Sequence, residues 1–201
     1  MPNALIVYGG FEGHQPKEMN ELFSAELKAL GYTVESRDTL DAYADEDLMS
    51  AQDLIVPCWT MGEITNDQWK VLSKTVKAGC GFAGFHGGII DAMRKHTGWQ
   101  FMTGGQFVDH PGGCDIPGYT VNITDPDHEI TRGIGDFVLP KTEQYYCHTD
   151  PGNHVLCTTV FEDHEEIGDG PGSPRGCYEI GTVMPYAWTR MWKQGRVFVA
   201  A

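Results

Sequence analysis

The feature that most limits the fold of this chain is an alternation of apolar runs and amphipathic segments over its first half. Residues 5–8 and 54–59 are apolar runs, which are typical of strands buried on both faces of a parallel sheet. Two further strands are predicted at residues 32–36 and 81–85. Apolar residues recur at helical spacing over residues 16–30, between the first two strands. Short connections between alternating strands and helices predict a doubly wound α/β sheet.

Three loops follow predicted strands and are candidates for a ligand site. They comprise residues 9–14, 59–62 and 86–88, and we call them the strand rim. A fourth loop is expected at the same edge after a later central strand. Ligands of doubly wound sheets bind at the carboxyl ends of the strands, and parallel strands end at the same edge. We therefore expect these loops to lie together. Thr65 and Gln68 predict a capping box at the start of the next helix.

The second half of the chain predicts shorter strands and longer loops. Segments with strand composition cover residues 119–123, 142–146, 155–160, 184–188 and 196–199. Their close succession predicts an antiparallel extension of a mostly parallel central sheet. Glycine-rich residues 99–115 predict a long functional loop, and residues 161–176 predict a solvated loop. The length predicts a single domain over residues 1–201.

Composition argues against several classes of partner. The formal net charge is −14 and the isoelectric point is near 4.8, so neither nucleic acid nor an anionic membrane surface is expected to bind. No apolar run is long enough for a transmembrane helix, and no basic targeting segment precedes the first strand. We therefore expect a cytoplasmic protein. The six cysteines include no Cys-x-x-Cys pair, which predicts buried, reduced thiols.

Residues 84–88, Gly-Phe-His-Gly-Gly, have the spacing of a nucleophile elbow, but His86 stands where serine or cysteine would act. A strand, a sharp turn and a helix over residues 89–96 are predicted here. The amides of Gly87 and Gly88 could then hold an anion or a developing oxyanion. The alternative is a tight strand-to-helix turn with an incidental histidine. Cys80 lies six residues before the elbow position and cannot serve as its nucleophile.

Several histidines stand in loops beside glycines or at strand ends. His14 and His110 are of the first kind, and His148 follows Glu143 at the end of a predicted strand. If two or three of them meet at the strand rim with Glu143, they could act as general acid and base or bind a divalent metal such as zinc. The metal candidates are His14, His86, His110 and His148. The alternative for each is a surface or hydrogen-bonding role, and no His-Glu-x-x-His motif indicates a metal.

An ordered set of motifs covers nearly the whole chain. It comprises residues 4–10 with 13–14, 84–88, 103–107 with 110–112, 143–146 with 148, 184–190, and 195–198. These motifs resemble the ThuA-like, or trehalose-utilisation, family. The resemblance implies a class I glutamine amidotransferase-like fold, which is a flavodoxin-like three-layer sandwich. It also implies a role in bacterial catabolism of trehalose or related disaccharides through 3-keto sugars. Amidotransferase activity is not expected, because His86 replaces the catalytic cysteine.

Members of that family continue after the strand at residues 195–198 into a Gly-His turn and a closing helix. This sequence stops at Ala201, so we expect the domain to lack that turn and helix. A sheet face left uncovered in this way would favour a homo-oligomer.

Three hypotheses for function remain at this point. The first is an enzyme that enolises or isomerises a sugar, with His86, Glu143 and His148 as catalytic candidates. The second is a non-catalytic sugar-binding or regulatory module, and the third is a metal-dependent hydrolase. Candidate sugar-binding residues are Gly10, His14, Trp59, Gly87, Gly88, Gln106, His110 and Tyr146. Trp59 could stack on a sugar ring, although buried packing is the commoner role of tryptophan.

Overall fold

A computed structural model describes residues 1–114, 116–163 and 178–201. The chain forms two compact units. The first unit contains Met1–Gly104 and Thr189–Ala200, and the second contains Gly105–Trp188 with Ala201. Among the described residues, no helix combines the length and apolar character needed to cross a membrane.

Residues up to Gly104 alternate strands and helices, as predicted. The elements are β1 (Asn3–Gly10), α1 (Pro16–Ala29), β2 (Thr33–Arg37), α2 (Glu46–Ser50), β3 (Leu54–Thr60), α3 (Asn66–Lys77), β4 (Gly81–Phe85) and α4 (Thr97–Thr103). The rest of the chain consists of strands joined by loops. These strands are β5 (Gly105–Asp109), β6 (Tyr119–Ile123), β7 (Phe137–Leu139), β8 (Tyr146–Thr149), β9 (His154–Val160), β10 (Val183–Trp192) and β11 (Gly195–Ala200).

Strand order confirms the predicted fold class. In the first unit the order is β2-β1-β3-β4-β11, and the pairs β1–β2, β1–β3, β3–β4 and β4–β11 are all parallel. β10 contains residues of both units and is followed in the second by β9, β6 and β7. β6 pairs with β7 and with β9 in antiparallel fashion, while β5 and β8 form a separate two-stranded ribbon. The sheet is therefore parallel in the first unit and has an antiparallel extension.

The apolar runs become strands because helices cover both of their faces. Residues Ala4 to Val7 of β1 are all inaccessible to solvent. Ala4 and Ile6 pack in one cluster with Leu27 of α1, so the intervening side chains of β1 face the opposite layer. A strand that is buried on both faces needs apolar residues at every position, which is the pattern that predicted it.

The predicted capping box starts α3. The hydroxyl of Thr65 accepts a hydrogen bond from the amide of Gln68, and the side chain of Gln68 accepts one from the amide of Thr65. We expect Thr65→Ala to lower the free energy of unfolding by about 1 kcal/mol, because the amide of Gln68 loses the hydroxyl that accepts its hydrogen bond. Urea denaturation measures this loss. Thr65→Ser keeps the hydroxyl, so an equal loss in that variant would contradict a capping role.

The helix predicted over residues 89–96 is wrong. A three-residue 3₁₀ helix, His86–Gly88, follows β4 and gives way to turns that last until α4. The carbonyls of Asp91 and Ala92 accept hydrogen bonds from the amides of Met61 and Gly62, at 3.1 and 2.6 Å. Because the loop after β3 occupies these carbonyls, they are not available to bond along a helix. Gly87 and Gly88 therefore do not open an α-helix.

Residues 99–115 were predicted to form one long irregular loop, and this is also wrong. They contain most of α4 and all of β5. The side chain of His96 accepts a hydrogen bond from the amide of Trp99 and so caps α4. One of the glycines that suggested a loop, Gly104, instead ends this helix with a positive φ of 75°.

Other predictions for the second half were confirmed in part. The strand predicted at residues 142–146 begins only at Tyr146, because the preceding segment pairs through a single bridge between Ile116 and Thr142. β7 was not predicted. Four cysteines are buried and none of the described cysteines forms a disulfide, but Cys114 is exposed, contrary to the prediction. Residues 164–176 of the predicted solvated loop, and Cys177, lie outside the described residues.

Candidate functional site

The strand rim forms at the carboxyl ends of β1, β3 and β4, as predicted. Gly10 lies opposite Thr60 in the parallel register, so the first two strands end together. Beyond the strands, the amide of Phe11 donates a hydrogen bond to the carbonyl of Thr60 at 3.2 Å. The amide of Met61 donates a hydrogen bond to the carbonyl of Asp91, which lies in the segment after His86. Backbone bonds therefore join all three rim loops.

Two imidazoles meet at the strand rim. The rings of His14 and His86 have centroids 4.8 Å apart and are inclined at 49°. His14 ends the 3₁₀ helix Glu12–His14 after β1, and His86 begins the one after β4. His86 has a φ of 48°, an unusual backbone conformation for a residue with a Cβ atom. Strained residues of this kind concentrate at functional sites.

A hydrogen bond orients the His14 ring. Its Nδ1 atom lies 2.9 Å from the hydroxyl oxygen of Thr60, which is itself buried. The edge of the ring also meets Phe11, with centroids 5.3 Å apart. The contact with Thr60 engages Nδ1, so proton transfer by His14 would use Nε2. Sequence reasoning missed Thr60, and the one available signal was a polar residue at the end of a buried apolar strand.

The rim glycines permit close packing. A Cβ atom on Gly87 would lie 2.6 Å from Cε1 of His14 and 3.0 Å from Cγ2 of Thr60. A Cβ atom on Gly88 would lie 3.1 Å from the Cα atom of Cys58. Both glycines are buried. Glycine at position 87 is thus what allows His14 to approach the β4 loop.

Trp59 packs over glycines at the ends of two rim loops. A Cβ atom on Gly9 would lie 2.6 Å from its ring, and one on Gly62 would lie 2.7 Å from it. The indole is only partly buried. Its ring therefore lines the loop after β3 while part of it remains open to solvent.

The thiol of Cys58, close to the rim in sequence, is unsuited to nucleophilic attack. Cys58 lies in β3, two residues before Thr60, and its burial raises its pKa to about 11. Because the thiolate is the nucleophilic form, a thiol with this pKa stays protonated and unreactive near neutral pH. The side chains of His14 and His86 instead offer imidazole chemistry at this rim.

The remaining predicted site residues lie in the second unit. His110 Nε2 is 4.0 Å from Oε1 of Glu143, and both side chains are partly buried. Gln106 pairs with His148 in the ribbon of β5 and β8, and both are exposed. Tyr146 lies near His148, with ring centroids 6.5 Å apart.

Within the second unit, His148 and Tyr145 lie on opposite faces of the ribbon. Phe107, beside Gln106 in β5, contacts Tyr145 with ring centroids 4.6 Å apart. Side chains alternate along a strand, so Gln106, Tyr146 and His148 face away from that contact. The structure therefore brings His110 to Glu143 and gives His148 a different, exposed environment.

A family model described as "Trehalose utilisation" (ThuA) matches residues 3–201. The chain belongs to the ThuA family. The resemblance inferred from its motifs is thereby confirmed. No curated protein matches the chain.

Solved structures with the same fold include other ThuA-like proteins. One from Bacteroides uniformis is 15% identical with a TM-score of 0.75, and covers 99% of this chain and 80% of its own. One from Parabacteroides merdae is 16% identical with a TM-score of 0.72, and the alignment covers 100% of this chain and 79% of that protein. A cytoplasmic protein from Salmonella typhimurium is 15% identical with a TM-score of 0.63, and the alignment covers 100% of this chain and 87% of that protein. At these identities the similarity establishes the fold.

Proposed function

We propose that this chain is an enzyme of bacterial carbohydrate catabolism that transfers protons on a sugar or oxidised sugar at the strand rim. The observation that carries the proposal is the contact between the imidazole rings of His14 and His86, whose centroids are 4.8 Å apart. A hydrogen-bond contact with the hydroxyl of Thr60 orients the His14 ring. The family's link to trehalose utilisation supports a disaccharide or its 3-keto derivative as substrate. A similar structure described as a cytoplasmic protein supports action in the cytoplasm.

Paired imidazoles suit enolisation or isomerisation next to a carbonyl. One imidazole removes a proton from the carbon beside the carbonyl, while the other donates a proton to the carbonyl oxygen. An imidazole can both accept and donate a proton, so either ring can take either role. His86 is the proposed base because its backbone is held in an uncommon conformation at the tip of β4, and His14 is the proposed acid.

The proposal excludes amidotransferase chemistry. That reaction needs an activated thiolate at the elbow, whereas this chain has His86 there and the nearby Cys58 has a pKa raised to about 11. Partly exposed Trp59 offers an aromatic surface on which a sugar ring could stack.

The test is turnover of trehalose and 3-keto-trehalose, followed by chromatography and by exchange of the substrate's carbon-bound protons with deuterium from solvent. We expect His86→Ala and His14→Ala each to lower kcat/KM by about 10²- to 10⁴-fold, the usual contribution of a general acid or base. Thr60→Val should have a smaller effect on kcat, and Thr60→Ser should restore it, because the hydroxyl orients His14.

His154 provides a matched control. It is an exposed histidine in the second unit, and its Nε2 atom lies 2.8 Å from Asp125. His154→Ala should retain full activity. Unchanged turnover in His86→Ala would remove His86 from the mechanism. Sugar binding in calorimetry without any chemical change or proton exchange would instead support the binding-module hypothesis and overturn the proposed reaction.

A further inference from the structure

A second group of ligating side chains lies entirely within the second unit. One imidazole nitrogen of His110, the Sγ atom of Cys114 and one carboxylate oxygen of Glu143 all lie within 4.8 Å of one another. We propose that these three side chains bind a zinc ion. The zinc proposal does not rest on the proton-transfer function proposed for His14 and His86.

The turn after β5 brings His110 and Cys114 together. The amide of Gly113 donates a hydrogen bond to the carbonyl of His110 at 2.9 Å. Gly112 and Gly113 have φ values of 93° and 82°, which glycine adopts without strain. The chain therefore reverses within four residues and returns the thiol of Cys114 to the side of the imidazole.

Backbone bonds hold Glu143 beside this turn. Ile116 and Thr142 exchange two backbone hydrogen bonds, of 3.0 and 3.2 Å. Ile116 is two residues after Cys114, and Thr142 immediately precedes Glu143, so this bridge joins the two segments that carry the ligands. The hydroxyl of Tyr119 also donates a hydrogen bond to the carbonyl of Glu143 at 2.8 Å.

Aromatic rings hold the imidazole of His110 in place. The ring lies nearly parallel to that of Tyr145, at 24° with centroids 6.2 Å apart, and 6.0 Å from the ring of Phe107. Its Nδ1 atom is buried and has no hydrogen-bond partner among the described residues. Leaving a buried nitrogen unsatisfied is unfavourable, and coordination of a metal through Nδ1 would remove that cost.

The three ligand types favour zinc over harder cations. Thiolate, imidazole and carboxylate are all zinc ligands, whereas Mg²⁺ and Ca²⁺ prefer sites made only of oxygen. Ligand atoms of a tetrahedral zinc site lie about 3.5 Å apart. The ligand atoms of His110, Cys114 and Glu143 lie within 4.8 Å of one another, so small side-chain movements would bring them to this spacing. A deprotonated thiol and a carboxylate together neutralise the ion, and a fourth position stays available for water.

Metal titration of the purified, chelator-treated chain tests the site. We expect one Zn²⁺ per chain in competition with a chromogenic chelator, and no comparable binding of Mg²⁺. Co²⁺ used as a spectroscopic substitute should give sulfur-to-cobalt charge-transfer absorption, because Cys114 is a ligand. Cys114→Ser should abolish that absorption and weaken zinc binding at least about tenfold, since a soft ligand is replaced by a hard one. His110→Ala and Glu143→Gln should also weaken it.

Cys80→Ser is the matched control, because Cys80 is a buried thiol of the first unit. It should bind both metals like the unsubstituted chain. Circular dichroism verifies that each variant is folded before titration. Absence of stoichiometric zinc binding, or cobalt absorption that survives in Cys114→Ser, overturns the proposal. Loss of zinc binding in His14→Ala with retention in His110→Ala also overturns it.

Discussion

Gly10→Ala is expected to lower the free energy of unfolding by about 2 to 5 kcal/mol, as measured by urea denaturation. Gly10 ends β1 with a φ of 84°, so a side chain there strains the backbone. The added Cβ atom would also overlap the carbonyl oxygen of Thr60 and lie 2.9 Å from its amide nitrogen. Relief requires β1 and β3 to separate at the rim, which moves Thr60 away from His14.

Gly31→Ala separates the backbone strain in Gly10→Ala from its steric conflict with Thr60. Gly31 follows α1 with a φ of 88°, but a Cβ atom there would meet nothing within 4 Å. Its replacement should therefore show only the conformational penalty, about 1 kcal/mol. The difference between the two variants measures the steric conflict at Thr60. Equal losses in both variants would show that this conflict is absent.

Trp99→Ala is expected to lower the free energy of unfolding by about 3 to 5 kcal/mol, the usual cost of truncating a buried tryptophan. Trp99 is 1% exposed and meets the ring of Phe82 edge-on, with centroids 5.3 Å apart. Its indole N–H donates a hydrogen bond to the carbonyl of Ile89 at 2.8 Å. Urea denaturation measures the loss, and the turn that follows His86 should also become more open to hydrogen exchange.

Two further variants identify the source of that effect. Trp99→Phe keeps most of the apolar contact but leaves the carbonyl of Ile89 without its donor, so an intermediate loss is expected. Phe101 lies in the same helix and is 63% exposed, so Phe101→Ala should change stability by less than about 0.5 kcal/mol. A loss as large in Phe101→Ala as in Trp99→Ala would attribute the effect to the helix rather than to burial.

Local patterns predicted the first unit well because each of its elements carries its own signal. Buried parallel strands need apolar residues throughout, as in Ala4 to Val7, and the capping box at Thr65 is a contact within four residues. Prediction failed after His86, where the mixture of apolar and charged residues over 89–96 resembles a helix. Amides of the distant loop after β3 take the carbonyls that such a helix would need.

Some features of the candidate site were likewise predictable from local sequence, and others depended on contacts between distant segments. The sequence alone identified the family and the rim histidines, because glycines and polar residues that follow apolar strands are visible in local composition. Only the tertiary structure paired His14 with Thr60, 46 residues away, and brought Cys114 to Glu143. Those contacts depend on strand register and on turns set by glycine. Residue type determines which elements form, whereas the packing of distant segments determines which side chains meet.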